Sequence, residues 1–275
     1  MCFKYDIKAG IIQDWYKYLV VVCIALFSCV DYYLQTRRNM QITPIVPVFS
    51  DYILNFFRGA EVYVKEQGGF EIPVFWMAVQ LYLAYIIGKY PCEDLYTSGK
   101  NLLLKSGSRT KWWISKCIWC FESCLIYYFL AGLTIVAFCF VMKVDFKVIL
   151  HTPMETQSLL YLTAEREVKV GEFIVILLLP IISSFTASIV QLAISILTKP
   201  IYGFLCVAVL CLASAYTCTP WLIGNASMIG RNTIFIDNGI ITGKAYLICL
   251  AILMVAIVVG NFFMMKIDIL RKETE

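Results

Sequence analysis

The residues of this chain whose types and spacing carry chemistry are Cys117, Cys120 and Cys124, Glu122 beside them, and His151, the lone histidine. Positions i, i+3 and i+7 share one face of a helix, so the three thiols suit either a partial metal site or a packed groove. Zinc sites usually take four ligands. The sequence offers no second CxxC pair and no histidine cluster, so packing of the thiols as small hydrophobes is the better account. One histidine leaves no HExxH metal site, no Ser–His–Asp triad and no histidine-based intramembrane protease site. Gly88-Lys89, Gly99-Lys100 and Gly243-Lys244 lack the upstream glycine and the following Ser or Thr of a phosphate-binding loop. This chain is therefore not expected to hydrolyse ATP, and no catalytic residue, cofactor or metal is assigned to it.

Glu122 and Asp31 lie within apolar runs, where a carboxylate is costly and marks a functional hypothesis. Glu122 suits lateral pairing, a translocation path, or snorkelling to a nearby surface. Asp31 lies about one turn from the expected outer boundary, which favours an interfacial role. A membrane-embedded enzyme using Glu122 with Ser123 or a cysteine would need a second titratable group, and none stands at that depth.

The elements that hold these residues follow from hydropathy. Of 275 residues 60% are hydrophobic and 15% charged, and the mean hydropathy is +0.77, against roughly 45–50% apolar and about 25% charged in soluble domains. The segments 173–198, 201–222 and 245–265 contain no Asp, Glu, Lys or Arg, and each matches the roughly 20 residues needed to cross a bilayer. With 18–34, 72–88 and 117–142 they give six expected spans. The chain reads as one all-α, polytopic membrane domain over 1–275. Lys89 and Pro91 are expected to close the second span. Pro180 falls inside the fourth, and Lys199-Pro200 forms a tight turn between the fourth and fifth.

The net charge of +4 is too small and dispersed for a nucleic-acid footprint, so no nucleic-acid partner is expected. Basic residues orient membrane proteins instead. If 89–116 is cytoplasmic, both termini are too, and the inside segments hold 13 basic residues against 10 outside. Residues 4–18 place Ile7, Ile11, Trp15 and Tyr18 at helical spacing, which suits a helix in the headgroup layer or an ordinary flank with an aromatic anchor. Within 91–116 the Leu102–Leu104 triplet precedes a Ser106-Gly107-Ser108 break and the pair Trp112-Trp113. This reads as a short helix, a turn and an interface-anchored start to the third span. An exposed apolar triplet calls for a partner surface. The outside loops 35–71 and 143–172 suit an external cap with a short helix such as 51–64. Asn225-Ala226-Ser227 matches a glycosylation sequon, a triplet that arises often by chance.

This arrangement resembles the membrane subunit of type-2 ATP-binding-cassette exporters, the permeases that include bacterial antimicrobial-peptide efflux and immunity transporters. The likeness rests on the interfacial helix 4–18, a coupling segment over 91–116, the Ser/Arg/Lys/Trp-rich stretch 106–116, and Pro220-Trp221-Leu222-Ile223-Gly224-Asn225 with Met228 and Arg231, which is similar to a re-entrant outer segment over 219–243. It implies a bacterial plasma-membrane permease moving a peptide, lipid or other amphipathic compound. It further implies two partners within the lipid bilayer and beneath it: a second permease copy or sister permease, and a separate cytoplasmic ATPase that hydrolyses ATP. ATPase docking would fall to Leu102, Leu103, Leu104 and Lys105, with Lys100 and Arg109 as charged contacts. A self-sufficient secondary transporter or channel is the alternative, though repeated halves are not visible.

Overall fold

A computed structural model describes residues 2–39, 46–63, 70–96, 108–153, 163–167, 169–236 and 239–266. The chain runs α1 (Cys2–Ile7), a π-helical turn (Lys8–Ile12), α2 (Trp15–Asn39), α3 (Phe49–Phe57), α4 (Val74–Tyr96), α5 (Arg109–Val141), β1 (Ile149–Pro153), β2 (Thr163–Glu167), α6 (Val170–Leu197), α7 (Pro200–Tyr216), α8 (Ile223–Ala226), a 3₁₀ turn (Ile229–Arg231) and α9 (Thr242–Lys266). Among the described residues, four helices, α2, α5, α6 and α9, are long and apolar enough to cross a membrane. That is the signature of a membrane protein. The end of the bundle that carries the 97–107 connection is called the base, and the opposite end the apex.

The helices depart from the expected spans where tertiary contacts outweigh local signals. α4 does not close at Lys89 and Pro91 but runs through both to Tyr96. Although Pro91 has no N–H to donate, Cys92, Asp94 and Leu95 beyond it are all buried, and that packing carries the helix onward. α5 begins at Arg109, eight residues before the expected 117, behind an N-cap in which Ser108 Oγ accepts from Lys111 N. Trp112 and Trp113 are accordingly not interfacial anchors: both are fully buried. α7 ends at Tyr216 instead of 222, because the carbonyls of its last turn are taken by side chains of the segment that follows. Residues 4–18 do not form one α-helix, since α1, a π-helical stretch and a turn at 13–14 precede α2. The apical helix ends at Phe57, short of 64, and Gly59 follows with φ +74°, a left-handed conformation that suits glycine.

The described residues are overwhelmingly helical, as expected, and one short hairpin stands at the apex. β1 and β2 pair antiparallel, Ile149 opposite Glu167. Ser50 of α3 fixes this hairpin by donating to the Ile149 carbonyl (2.7 Å) and accepting from the Ile149 amide (3.1 Å). α3 is itself sunk between α2 and α5. Its Asn55 donates to Ser28 (3.2 Å), Tyr52 meets Tyr32 edge-on at 5.0 Å, and Phe57 lies 5.5 Å from Tyr128.

Within lipid, helices cannot gain by hiding apolar area from one another, so close backbone approach and interhelical hydrogen bonds hold them together. Trp113 shows both. Its Nε1 donates to the Ile257 carbonyl of α9 (3.0 Å), and its ring occupies the space a Cβ on Gly260 would fill, 2.2 Å from that position. Gly203 of α7 similarly admits Ser195 and the Gln191 carbonyl of α6. The outer flanks, including Phe129, Leu133 and Phe140 of α5 and Leu247, Met254 and Val258 of α9, are exposed where acyl chains would cover them.

Gly260→Leu is expected to lower the protein's stability in detergent by about 1–3 kcal/mol, the usual cost of overpacking, read as a reduced thermal midpoint. An unchanged midpoint would contradict the Trp113–Gly260 contact.

Candidate functional site

At the base, α1, α4 and α5 converge on a buried ionic cluster. Tyr90 and Asp94 stand four residues apart on one face of α4, Ser115 and Lys116 project from the first turns of α5, and Asp6 comes from α1. The ammonium of Lys116, fully buried, lies 2.7 Å from Asp94 Oδ2 and also pairs with Asp6 Oδ1. Asp6 accepts in addition from the Tyr90 hydroxyl (2.9 Å) and from Ser115 Oγ. Aromatic faces complete the enclosure, with Lys116 Nζ 4.5 Å from the Tyr90 ring centroid and 5.2 Å from that of Trp112. Gly10, in the π-turn, fits where a Cβ would come within 2.4 Å of Trp119 and 2.8 Å of Tyr90. The N-terminal segment thus seats against α4 and α5 through one charge and one missing side chain.

Burying ions costs several kcal/mol each, and only close pairing with satisfied donors offsets it. Asp6 meets that condition with three donors. The consequence is mechanical: the two helix ends that bear the 97–107 connection are tied to each other by Lys116–Asp94 and to the N-terminus by Lys116–Asp6.

The apex has a counterpart in Arg231, also fully buried. Its guanidinium donates to the carbonyls of Ala60 (2.9 Å) and Glu61 (2.9 Å), to those of Ser214 and Ala215 (2.7 Å) in the last turn of α7, to the Thr217 carbonyl (3.4 Å) just beyond it, and to Asn225 Oδ1 (2.5 Å). Helix C-termini carry partial negative charge, which is how this cation is accommodated. Burial pushes its pKa below the ordinary value. Asn225 is committed too, donating to the Thr217 and Thr219 carbonyls at 2.7 and 3.0 Å. The sequon asparagine is therefore a buried strut of the 217–231 fold. Between base and apex, Gln80, Tyr128 and Ser184 close a ring across α4, α5 and α6, with Gln80 Nε2 donating to Tyr128 Oη (3.3 Å), Tyr128 Oη 2.6 Å from Ser184 Oγ, and Ser184 Oγ donating to Gln80 Oε1 (3.0 Å).

The residues singled out from sequence fall as follows. Lys100, Leu102, Leu103, Leu104 and Lys105 lie outside the described residues. Arg109 donates to the Met265 carbonyl at the end of α9 (2.7 Å), so it ties α5 to the last helix. Glu122 is half-buried on α5, nearly two turns above Lys116 of the base cluster, and its Oε2 is screened from solvent without a hydrogen-bond donor. Cys120 and Cys124 are fully buried and Cys117 nearly so. Cys124 Sγ lies 3.6 Å from Ser188 Oγ, an interhelical packing contact. Asp31 is bonded by its own helix neighbour Gln35 at 2.7 Å.

Sequence reasoning missed Asp6, Tyr90 and Asp94. Ending the second span at 88 assigned Asp94 to the separate coupling segment over 91–116 and hid its i, i+4 relation to Tyr90. A base-facing pair of polar residues on α4 opposite a buried lysine was the available signal. The chain matches no known family model, no characterised protein and no solved structure.

Lys116→Met should cost about 3–5 kcal/mol, because it strands two buried carboxylates, measured by denaturant unfolding in detergent. A loss below about 1 kcal/mol would show that the pairs contribute little.

Proposed function

We propose that this chain is the permease subunit of a type-2 ATP-binding-cassette exporter in a bacterial plasma membrane, moving a peptide, lipid or other amphipathic compound. ATP is hydrolysed by a separate cytoplasmic ATPase, and two permease subunits of six spans each, both termini cytoplasmic, form the pathway. α4 and α7 join the four longer apolar helices as spans in this reading, and 219–243 enters the outer leaflet.

The observation that supports it best is the Lys116–Asp94 pair. α5 holds 33 residues, about 50 Å at 1.5 Å per residue, while the bilayer's hydrocarbon core is about 30 Å thick. α5 therefore reaches past the lipid, and its first turns are locked to the end of α4. A partner pressing on Leu102–Lys105 would move both helices as one body, which is what coupling of ATP-driven closure to a membrane pathway requires. Charge is consistent with this orientation, since the base carries Lys8, Lys17, Arg109, Lys111, Lys116, Lys199 and Lys266.

Affinity purification of the tagged chain from its native membrane, with mass spectrometry and an ATPase assay, tests the proposal. A cassette ATPase should co-purify with the wild type and be lost from Leu103→Asp. Repeated recovery without an ATPase, under conditions that preserve a known cassette complex, would instead favour a self-sufficient channel or secondary transporter.

A further inference from the structure

We infer that the N-terminal segment 2–12 is a displaceable latch, which holds the bases of α4 and α5 in one arrangement when Asp6 is seated and frees them when it leaves. In the receiving pocket Lys116 also pairs with the carboxylate of Asp94 at 2.7 Å and lies against the faces of Tyr90 and Trp112, so without Asp6 the remaining ammonium and carboxylate form a pair of zero net charge. Seating Asp6 adds a second buried carboxylate and brings the cluster to one ammonium and two carboxylates. Its three donors offset the desolvation of that charge. A segment fastened by such a near-balanced exchange is readily switched.

The backbone of the segment has the features of a moving part. A π-helical turn, often found at functional sites, stands directly between Asp6 and α2. It is followed by a turn at 13–14, where Lys17 pairs with Asp14. Beyond that turn Trp15, Tyr16 and Leu19 are exposed apolar residues that would remain in the membrane surface while the latch swings. The seat itself is shape-selective, because Gly10 leaves no room for a side chain between Tyr90 and Trp119.

Seated, the latch makes the α4–α5 base a three-membered block. Released, it leaves the two helices joined by Lys116–Asp94 without the third member, so their bases open more readily. The role of this switch in setting how an ATPase engages 97–107 rests on the exporter reading; the latch does not.

Hydrogen–deuterium exchange on the full-length protein in detergent tests it. In the wild type, amides of 5–12 should exchange together and at least tenfold faster than those of 176–196. Asp6→Asn, which removes the charge and keeps the shape, and Gly10→Ala, which obstructs the seat and keeps the charge, should each raise exchange at 90–96 and 110–119 at least tenfold and leave 176–196 unchanged. The inference is overturned if 5–12 in the wild type exchange as slowly as 176–196, if the helix bases are unaffected by both variants, or if exchange rises equally along the whole chain. If this pattern holds but no ATPase co-purifies, the exporter reading falls and the latch stands.

Discussion

A lysine ammonium withdrawn completely from water must be matched by carboxylates at contact distance, and the base of this protein is organised by that requirement. Lys116 is reached from α4 by Asp94 and from α1 by Asp6. The early start of α5, the continuation of α4 through Pro91 and the inward turn of the N-terminal segment each bring one member of the cluster into place. The π-turn with Gly10 at its centre supplies the clearance.

The apex solves the opposite problem with different chemistry. Arg231 is buried against peptide carbonyls and an asparagine oxygen, so that the electron-rich end of α7 holds it. The planar, five-donor guanidinium suits this use as an ammonium would not: it binds α7, the residues after α3 and the 217–231 segment at once. Between the two ends, the neutral ring of Gln80, Tyr128 and Ser184 holds the helices without charge, while glycines at 88, 203 and 260 let the helices approach closely near the base.

Much of the helical layout was legible in the sequence. Charge-free runs located α6, α7 and α9 within a few residues, except at the end of α7, where apolar Trp221 and Leu222 extended the pattern beyond the point at which Arg231 and Asn225 capture the carbonyls. Local signals failed wherever distant residues decided the outcome. Pro91 and Lys89 look like a terminus until Asp94 is seen to face Lys116. Trp112 and Trp113 look like interfacial anchors until Gly260 is seen to receive one of them. Asp6, in a segment read for its apolar face, gave no sign that its partner lay 110 residues away. The hairpin of β1 and β2 depends on Ser50, far off in the chain, and no short-range pattern announces that. Motifs could not disclose the ion cluster, because its members share no sequence neighbourhood.

The central claim is that Lys116 and Asp94 join the two helix bases energetically as well as geometrically. A double-mutant cycle measures this most directly: Asp94→Asn, Lys116→Met and the double variant, each compared with the wild type by reversible denaturant unfolding in one detergent. The account predicts strong non-additivity, with the double variant less destabilised than the sum of the singles by about 2 kcal/mol or more, within the range found for contacting charges. Additivity to within about 0.5 kcal/mol would contradict it.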